Sequence, residues 1–239
     1  MTGFQERMRA SAAKTGSRVV LALDLSGPHE TRLERAEAVL DATRGMVAAV
    51  KLNHHLMLPF GLGGLEPVLS ACRRDGVPVI ADLKANDIEA TNLNILETLL
   101  AYGVDALIAN PFVGFEEGLG KVIEQAHSRG AGVILLVYMS HRGAPEGYGL
   151  KTDSGEPLYR VFARRARDWR ADGVVVSAKS AGMISETRGI VGSSCLIFSP
   201  GVGAQGGTTE GAAGADFLIV GRAVTEAEDP ASALKAFTG

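Results

Sequence analysis

Cysteine is nearly missing from this chain of 239 residues: Cys72 and Cys195 stand far apart, each in an apolar setting. No C-x-x-C pair and no Cys/His metal spacing occurs, so buried reduced thiols are expected instead of a disulfide framework or a zinc site. No apolar run approaches the roughly 20 residues that span a bilayer. Residues 1–18 are polar and mixed, without the apolar core of a secretory signal. No membrane association is expected, and cytoplasmic location is the default. An excess of basic residues is missing too. Lys and Arg number 24 against 27 Asp and Glu, a net charge of −3. That balance gives no general electrostatic reason to bind nucleic acid, so any anionic ligand must be held by local groups. Low-complexity tracts and linkers are absent. The one tryptophan, Trp169, sits among arginines and reads as packing.

What is present is an alternation of short apolar runs and helical patterns. The runs predict strands at 19–23, 47–52, 77–83, 104–109, 133–139, 173–177, 195–199 and 216–220. Between them, three-to-four spacing predicts helices at about 30–43, 65–74, from 87 onward, 115–129, 158–171, up to about 187, and 230–237. Continuously apolar strands fit a parallel sheet covered on both faces. Eight βα units point to an α/β fold of the (β/α)8 TIM barrel type, with a doubly wound open sheet as the rival. The expected organisation is an N-terminal tail or extra helix at 1–17 and a single barrel domain at 18–239. The Gly-rich stretch after residue 52 is expected as a connection. Segment 142–157, rich in Gly, Pro and charge, is expected as a long loop of the lid type.

One run organises the rest: Ala-Asp-Leu-Lys-Ala-Asn-Asp-Ile-Glu-Ala-Thr-Asn at 81–92. It follows a buried strand and precedes a helix. Residues two apart on a strand point the same way, so Asp82 and Lys84 are expected to project together, with Asp87 in the turn or first helical turn. A solvated ion pair plus a helix cap would explain these charges blandly, and exposed pairs contribute only about 0–1 kcal/mol. Alternatively, a lysine held between carboxylates keeps its proton and can donate it to a developing carbanion.

In a barrel, the C-terminal strand tips converge on one mouth. Those tips carry Asp24, Lys51, Asp82 with Lys84, Asn110, and Ser140 with His141. After the seventh strand comes Ser-Pro-Gly-Val-Gly-Ala-Gln-Gly-Gly at 199–207, and the eighth ends in Gly221-Arg222. Glycines let backbone N–H groups approach an anion, and an arginine adds a bidentate contact, so this pair of loops predicts a phosphate site. His54 and His55 follow Lys51 and could line the mouth, but they lack partners at metal-ligand spacing, and no metal site is expected. His29 and His127 read as surface residues.

Asp-x-Lys-x-x-Asp at 82–87, followed by Thr91-Asn92, resembles the signature of the orotidine 5′-phosphate decarboxylase family. Leu23-Asp24-Leu25, Val50-Lys51, Met139-Ser140-His141, the run 200–207 and Val220-Gly221-Arg222 also match, in order. The resemblance covers about residues 18–237 and is nearest to the short, archaeal-like branch. It implies cofactor-free decarboxylation of orotidine 5′-phosphate to uridine 5′-phosphate in pyrimidine biosynthesis. It implies Lys84 as the acid that protonates the ring carbanion, and Asp82 against the substrate carboxylate. Lys51 and Asp24 would contact or order the ribose. Asp87 and Thr91 would reach the neighbouring site of a homodimer. Ser140 would meet the pyrimidine ring, and Pro200, Gln205, Gly221 and Arg222 would complete substrate binding around the phosphate. Sugar-phosphate enzymes that share the Asp-x-Lys-x-x-Asp run use magnesium, and a carboxylate would be expected at the end of strand two; Lys51 stands there instead. A phosphate-binding barrel without catalysis is a second alternative, and an indole- or phosphoribosyl-type barrel lyase, on fold analogy alone, is a third.

Overall fold

Eight short parallel strands pair in chain order and close into a barrel, the last hydrogen-bonded to the first. The computed structural model describes residues 2–178, 181–201 and 212–238. In chain order the elements are α1 (Phe4–Thr15), β1 (Val19–Ala22), α2 (Arg32–Ala42), β2 (Ala49–Asn53), α3 (His54–Gly64), α4 (Glu66–Asp75), β3 (Val79–Ala85), α5 (Glu89–Ala101) and β4 (Ala106–Ala109). They continue with α6 (Gly120–Ser128), β5 (Gly132–Tyr138), α7 (Ala144–Tyr148), α8 (Leu158–Asp168), β6 (Gly173–Val176), α9 (Ala181–Val191), β7 (Leu196–Pro200), β8 (Phe217–Val220), α10 (Arg222–Thr225) and α11 (Pro230–Lys235). This is the (β/α)8 TIM barrel that the alternation predicts.

Strand periodicity sorts the side chains into two cores. On β1, Val19 and Leu21 face the helices while Val20 and Ala22 face the barrel axis. On β3, Val79 and Ala81 go outward and Ile80 goes inward. Because both faces are apolar, the sequence reads as continuous runs. Continuing the inward parity past the last apolar residue gives Asp24 after β1, and Lys51 with Asn53 on β2. The same step gives Asp82 on β3, and Gly221 after β8. The mouth lined by these polar residues is therefore the top layer of the barrel interior.

The other end of the barrel is closed by α1. Its Phe4 and Met8 join the interior cluster, and the Phe4 ring stacks on Phe198 at 6.5 Å between centroids. Gly132, the first residue of β5, makes room for it: a Cβ there would meet the Phe4 ring at 2.4 Å. Arg7 pairs with Asp105 at 2.9 Å, and Gln5 Nε2 donates to the carbonyls of Asp172 and Ser194 at 3.0 and 2.7 Å.

Several local expectations differ from what forms. The Gly-rich stretch after β2 is helical as α3, interrupted only at Gly61, whose φ is +61°; its apolar residues pack on the outer core and override the weak propensity of glycine. Segment 142–157 is not all loop. It contains α7 and an antiparallel bridge between Lys151 and Pro157, and Tyr148 of α7 packs against Tyr138 and Phe162. The expected helix at 115–129 starts irregularly, with Glu117 at φ +51°, and becomes regular only at Gly120. His127 is not a free surface residue: its Nε2 lies 3.0 Å from Asp172 Oδ2, and that hydrogen bond raises its pKa above the ordinary histidine value.

Candidate active site

The centre of the mouth is an unbroken line of alternating charges. Lys51 Nζ lies 3.1 Å from Asp24 Oδ1 and 2.9 Å from Asp82 Oδ2, and Lys84 Nζ lies 2.7 Å from Asp82 Oδ1. Lys51 is only 3% exposed. Burial pushes its ammonium down, but attraction to Asp82 and then Asp24, with hydrogen bonds to both, outweighs this and leaves the pKa above the usual lysine value. Burial likewise pushes Asp82 up, and the two flanking lysines, Lys51 first, pull it below the usual carboxylate range. A buried ion pair survives only where such partners satisfy it. Here one carboxylate uses one oxygen for each lysine.

Lys84 reaches this position by an irregular route. Its φ is +51°, and the pairing of β3 with β4 shifts register between Ala81 and Ala85. A left-handed non-glycine residue costs of order 1–3 kcal/mol and persists only where its surroundings hold it; bulges re-aim side chains at strand ends. Asp82 and Lys84 do project together as expected, but through a bulge and not by regular strand geometry. A second shift, between Leu136 and Tyr138 on β5, precedes Met139 and Ser140 at the mouth.

These groups open into a cavity of about 200 Å3. Asp24, Lys51, Asp82 and Lys84 line one side, and Ser140, Pro200, Gly201, Gly221 and Arg222 line others. The floor is apolar, formed by the inward residues Ala22, Ile108, Leu136, Val175 and Ile219. Gly221 lies beside this group: a Cβ there would sit in ordinary contact, 3.4 Å from the Ala22 carbonyl oxygen and 3.6 Å from Asp24 Oδ2.

Other candidates lie elsewhere. Asp87 and Thr91 are exposed at the start of α5 and do not line the cavity of their own chain. Asp87 Oδ1 accepts from the Ile88 N–H at 2.7 Å, and the Asn92 side chain brackets the Asp87 backbone, accepting from its N–H at 3.3 Å and donating to its carbonyl. Asn110 caps a short turn by accepting from Phe112 N–H at 3.0 Å. His54, His55 and His141 do not line the cavity. Gln205 and the rest of 202–207 lie outside the described residues. Sequence reasoning missed Asn53, whose Nδ2 donates to Asp24 Oδ1 at 2.6 Å; the two-residue step from Lys51 was the signal that could have found it. No cluster of three or more His, Cys, Asp or Glu placed to hold a metal ion occurs among the described residues. No described helix is long and apolar enough to cross a membrane.

The model of the family described as orotidine 5′-phosphate decarboxylase / HUMPS matches residues 17–237. The chain belongs to that family. A curated orotidine 5′-phosphate decarboxylase of Methanosarcina barkeri is 37% identical over 219 residues, 91% of each chain. Among solved structures, the orotidine 5′-phosphate decarboxylase of Pyrococcus horikoshii OT3 aligns with a TM-score of 0.71 and 32% identity, over 92% of this chain and 97% of that one. The orotidine 5′-monophosphate decarboxylase of Methanocaldococcus jannaschii, complexed with the inhibitor BMP, aligns with a TM-score of 0.75 and 28% identity, over 93% and 97%. Family membership is thus carried by nearly the whole barrel and not by the charged run alone.

Proposed function

We propose that this chain decarboxylates orotidine 5′-phosphate to uridine 5′-phosphate in pyrimidine biosynthesis, without a cofactor, with Lys84 as the proton donor. The observation that carries the reading is the Asp24–Lys51–Asp82–Lys84 line at the mouth of a barrel from this family. The bond from the ring carbon to the carboxylate breaks, carbon dioxide leaves, and the electron pair stays on the ring carbon. The Lys84 ammonium gives that carbon its proton and is reprotonated from water. Asp82, pinned by two lysines, stands beside the position of the departing carboxylate, and the apolar floor offers that group little solvation. Binding energy from the phosphate can offset such ground-state cost.

In this reading Ser140 meets the base. Pro200, Gly221 and Arg222 lie along the phosphate end, with Gln205 joining them. Lys51 and Asp24 order the ribose. Asp87 and Thr91 act in the neighbouring site of a homodimer; their exposure at the start of α5, with the adjoining Ile88 64% exposed, supports a second chain there. The barrel at 18–239 acts as one catalytic unit in the cytoplasm. The magnesium-dependent chemistry is disfavoured because Lys51 occupies the strand-two position and engages both nearby carboxylates.

The test is loss of substrate absorbance when purified, chelator-treated protein meets orotidine 5′-phosphate. Metal-independent turnover is expected. A folded protein that leaves this substrate untouched, or that acts only on sugar phosphates with added magnesium, overturns the reading. A narrower prediction concerns Arg222. Arg222→Ala is expected to raise KM for the phosphorylated substrate by about 10- to 150-fold, the range of one charged hydrogen bond, and to leave uridine affinity unchanged. Equal weakening of nucleoside and nucleotide in binding assays would remove Arg222 from the phosphate site.

A further inference from the structure

The inward parity of β2 places Asn53 directly above Lys51, at the rim of the cavity. Its amide spans two elements. Nδ2 donates to Asp24 Oδ1 at 2.6 Å, and its Oδ1 accepts from the His55 N–H at 2.9 Å as the N-cap of α3. Both contacts fix the same amide orientation: reversal would set oxygen against carboxylate and NH2 against N–H. Lys51 Nζ donates to the same Asp24 oxygen at 3.1 Å. Both donors therefore hold Oδ1. Asp24 Oδ2 accepts no hydrogen bond from any described residue and faces the mouth near Gly221.

A lysine alone does not set this orientation. Its ammonium is a compact charge with three rotatable donors, shared here with Asp82. A planar amide anchored at its far end to the first turn of a helix is directional. We propose that Asn53 is a positioning residue that holds the Asp24 carboxylate with Oδ2 presented to a ribose hydroxyl of the bound nucleotide. The inference rests on the reading that the cavity takes a ribonucleotide; it adds the group that makes Asp24 selective.

Two variants separate positioning from simple capping. Asn53→Ala removes both contacts; it is expected to raise KM about tenfold while kcat falls less than about threefold. Asn53→Asp keeps an acceptor for His55 N–H but sets a second carboxylate against Asp24. Two carboxylates at that spacing hold one proton in preference to two full charges, and a protonated Asp at 53 donates to Asp24 as the amide does. The other charged or titratable groups around the pair are Lys51 on the same strand, Asp82 and Lys84 on β3, Arg222 after β8, His55 at the start of α3, and Arg32, the first residue of α2, which donates to the His55 carbonyl. All are shared with the parent protein, so its own pH profile is the reference. Relative to it, kcat/KM of Asn53→Asp is expected to recover about tenfold as pH falls from about 8 to about 5.

The second measurement does not need turnover. Calorimetric affinities for uridine 5′-phosphate and 2′,3′-dideoxyuridine 5′-phosphate give the preference for ribose, which is expected to fall about tenfold in Asn53→Ala. If the parent protein does not turn over orotidine 5′-phosphate, the proposed decarboxylation fails and this comparison alone decides the role of Asn53. An Asn53→Asp profile parallel to the parent, or an unchanged ribose preference in Asn53→Ala, overturns the assignment.

Discussion

Lys84→Ala is expected to lower kcat for orotidine 5′-phosphate by about 10²- to 10⁴-fold or more, the range ascribed to a positioned general acid, while uridine 5′-phosphate still binds. The geometry makes this a clean experiment. Removing Lys84 leaves Asp82 with its other partner, Lys51, at 2.9 Å, so no buried carboxylate is stranded. The backbone at this position is already left-handed with a lysine in place, and alanine bears the same Cβ. The fold is therefore expected to persist, with Tm within a few degrees of the parent. Absorbance assays give the rate, and calorimetry gives binding. A variant that retains more than about a tenth of parental kcat would remove Lys84 from the proton transfer.

Lys51→Met is expected to damage both stability and activity. The side chain is buried between two carboxylates, and its loss strands Asp24 with only Asn53 and deprives Asp82 of one of two counter-charges. Breaking such a pair costs about 3–5 kcal/mol, which in a chain of this size lowers Tm by roughly 6–20 °C. The pH dependence follows from the two shifts. Asp82, held below the usual carboxylate range, contributes stability above the unfolded value of about 3.9, lost as pH falls through its folded pKa. Lys51, held above its usual value, contributes stability below about 10.4, lost as pH rises through its folded pKa. The Tm difference between parent and variant is thus expected to stay flat between about pH 5 and 9. Thermal unfolding across that range is the check; a difference under 2 °C, or one that changes through neutrality, would contradict the buried pairing.

Much of this was legible in the sequence because barrel topology converts strand order into convergence. Once eight apolar runs were counted, Asp24, Lys51, Asp82 and Lys84 followed as tips of adjacent strands, and they meet at hydrogen-bonding distance. Asn53 was missed because strands buried on both faces show no polar alternation; its parity becomes visible only when Lys51 is known to face inward. The route to Lys84 was hidden for another reason. Nothing in Asp-Leu-Lys-Ala announces a left-handed residue, which the surrounding packing imposes. The helix after β2 was read as a connection because Gly61, Gly63 and Gly64 weigh against helix locally, while burial of Leu56 against the outer core decides the outcome. Asp87 and Thr91 are a different case: in the proposed dimer they would act in the neighbouring chain's site, and within their own chain they do not line the cavity.

The helix that closes the base of the barrel has a consequence for how the chain is made. Phe4 finds its partners at Gly132 and Phe198, Arg7 at Asp105, and Gln5 at Asp172 and Ser194, across 167 and 189 residues of sequence. On the ribosome, α1 emerges long before β5 and β7 exist. Its apolar face must wait, through most of translation, for a surface not yet synthesised. Contacts of such separation are slow to form, and unsatisfied apolar segments are where nascent chains aggregate. Docking of α1 is therefore a late event, and it locks early-made and late-made strands into one closed ring.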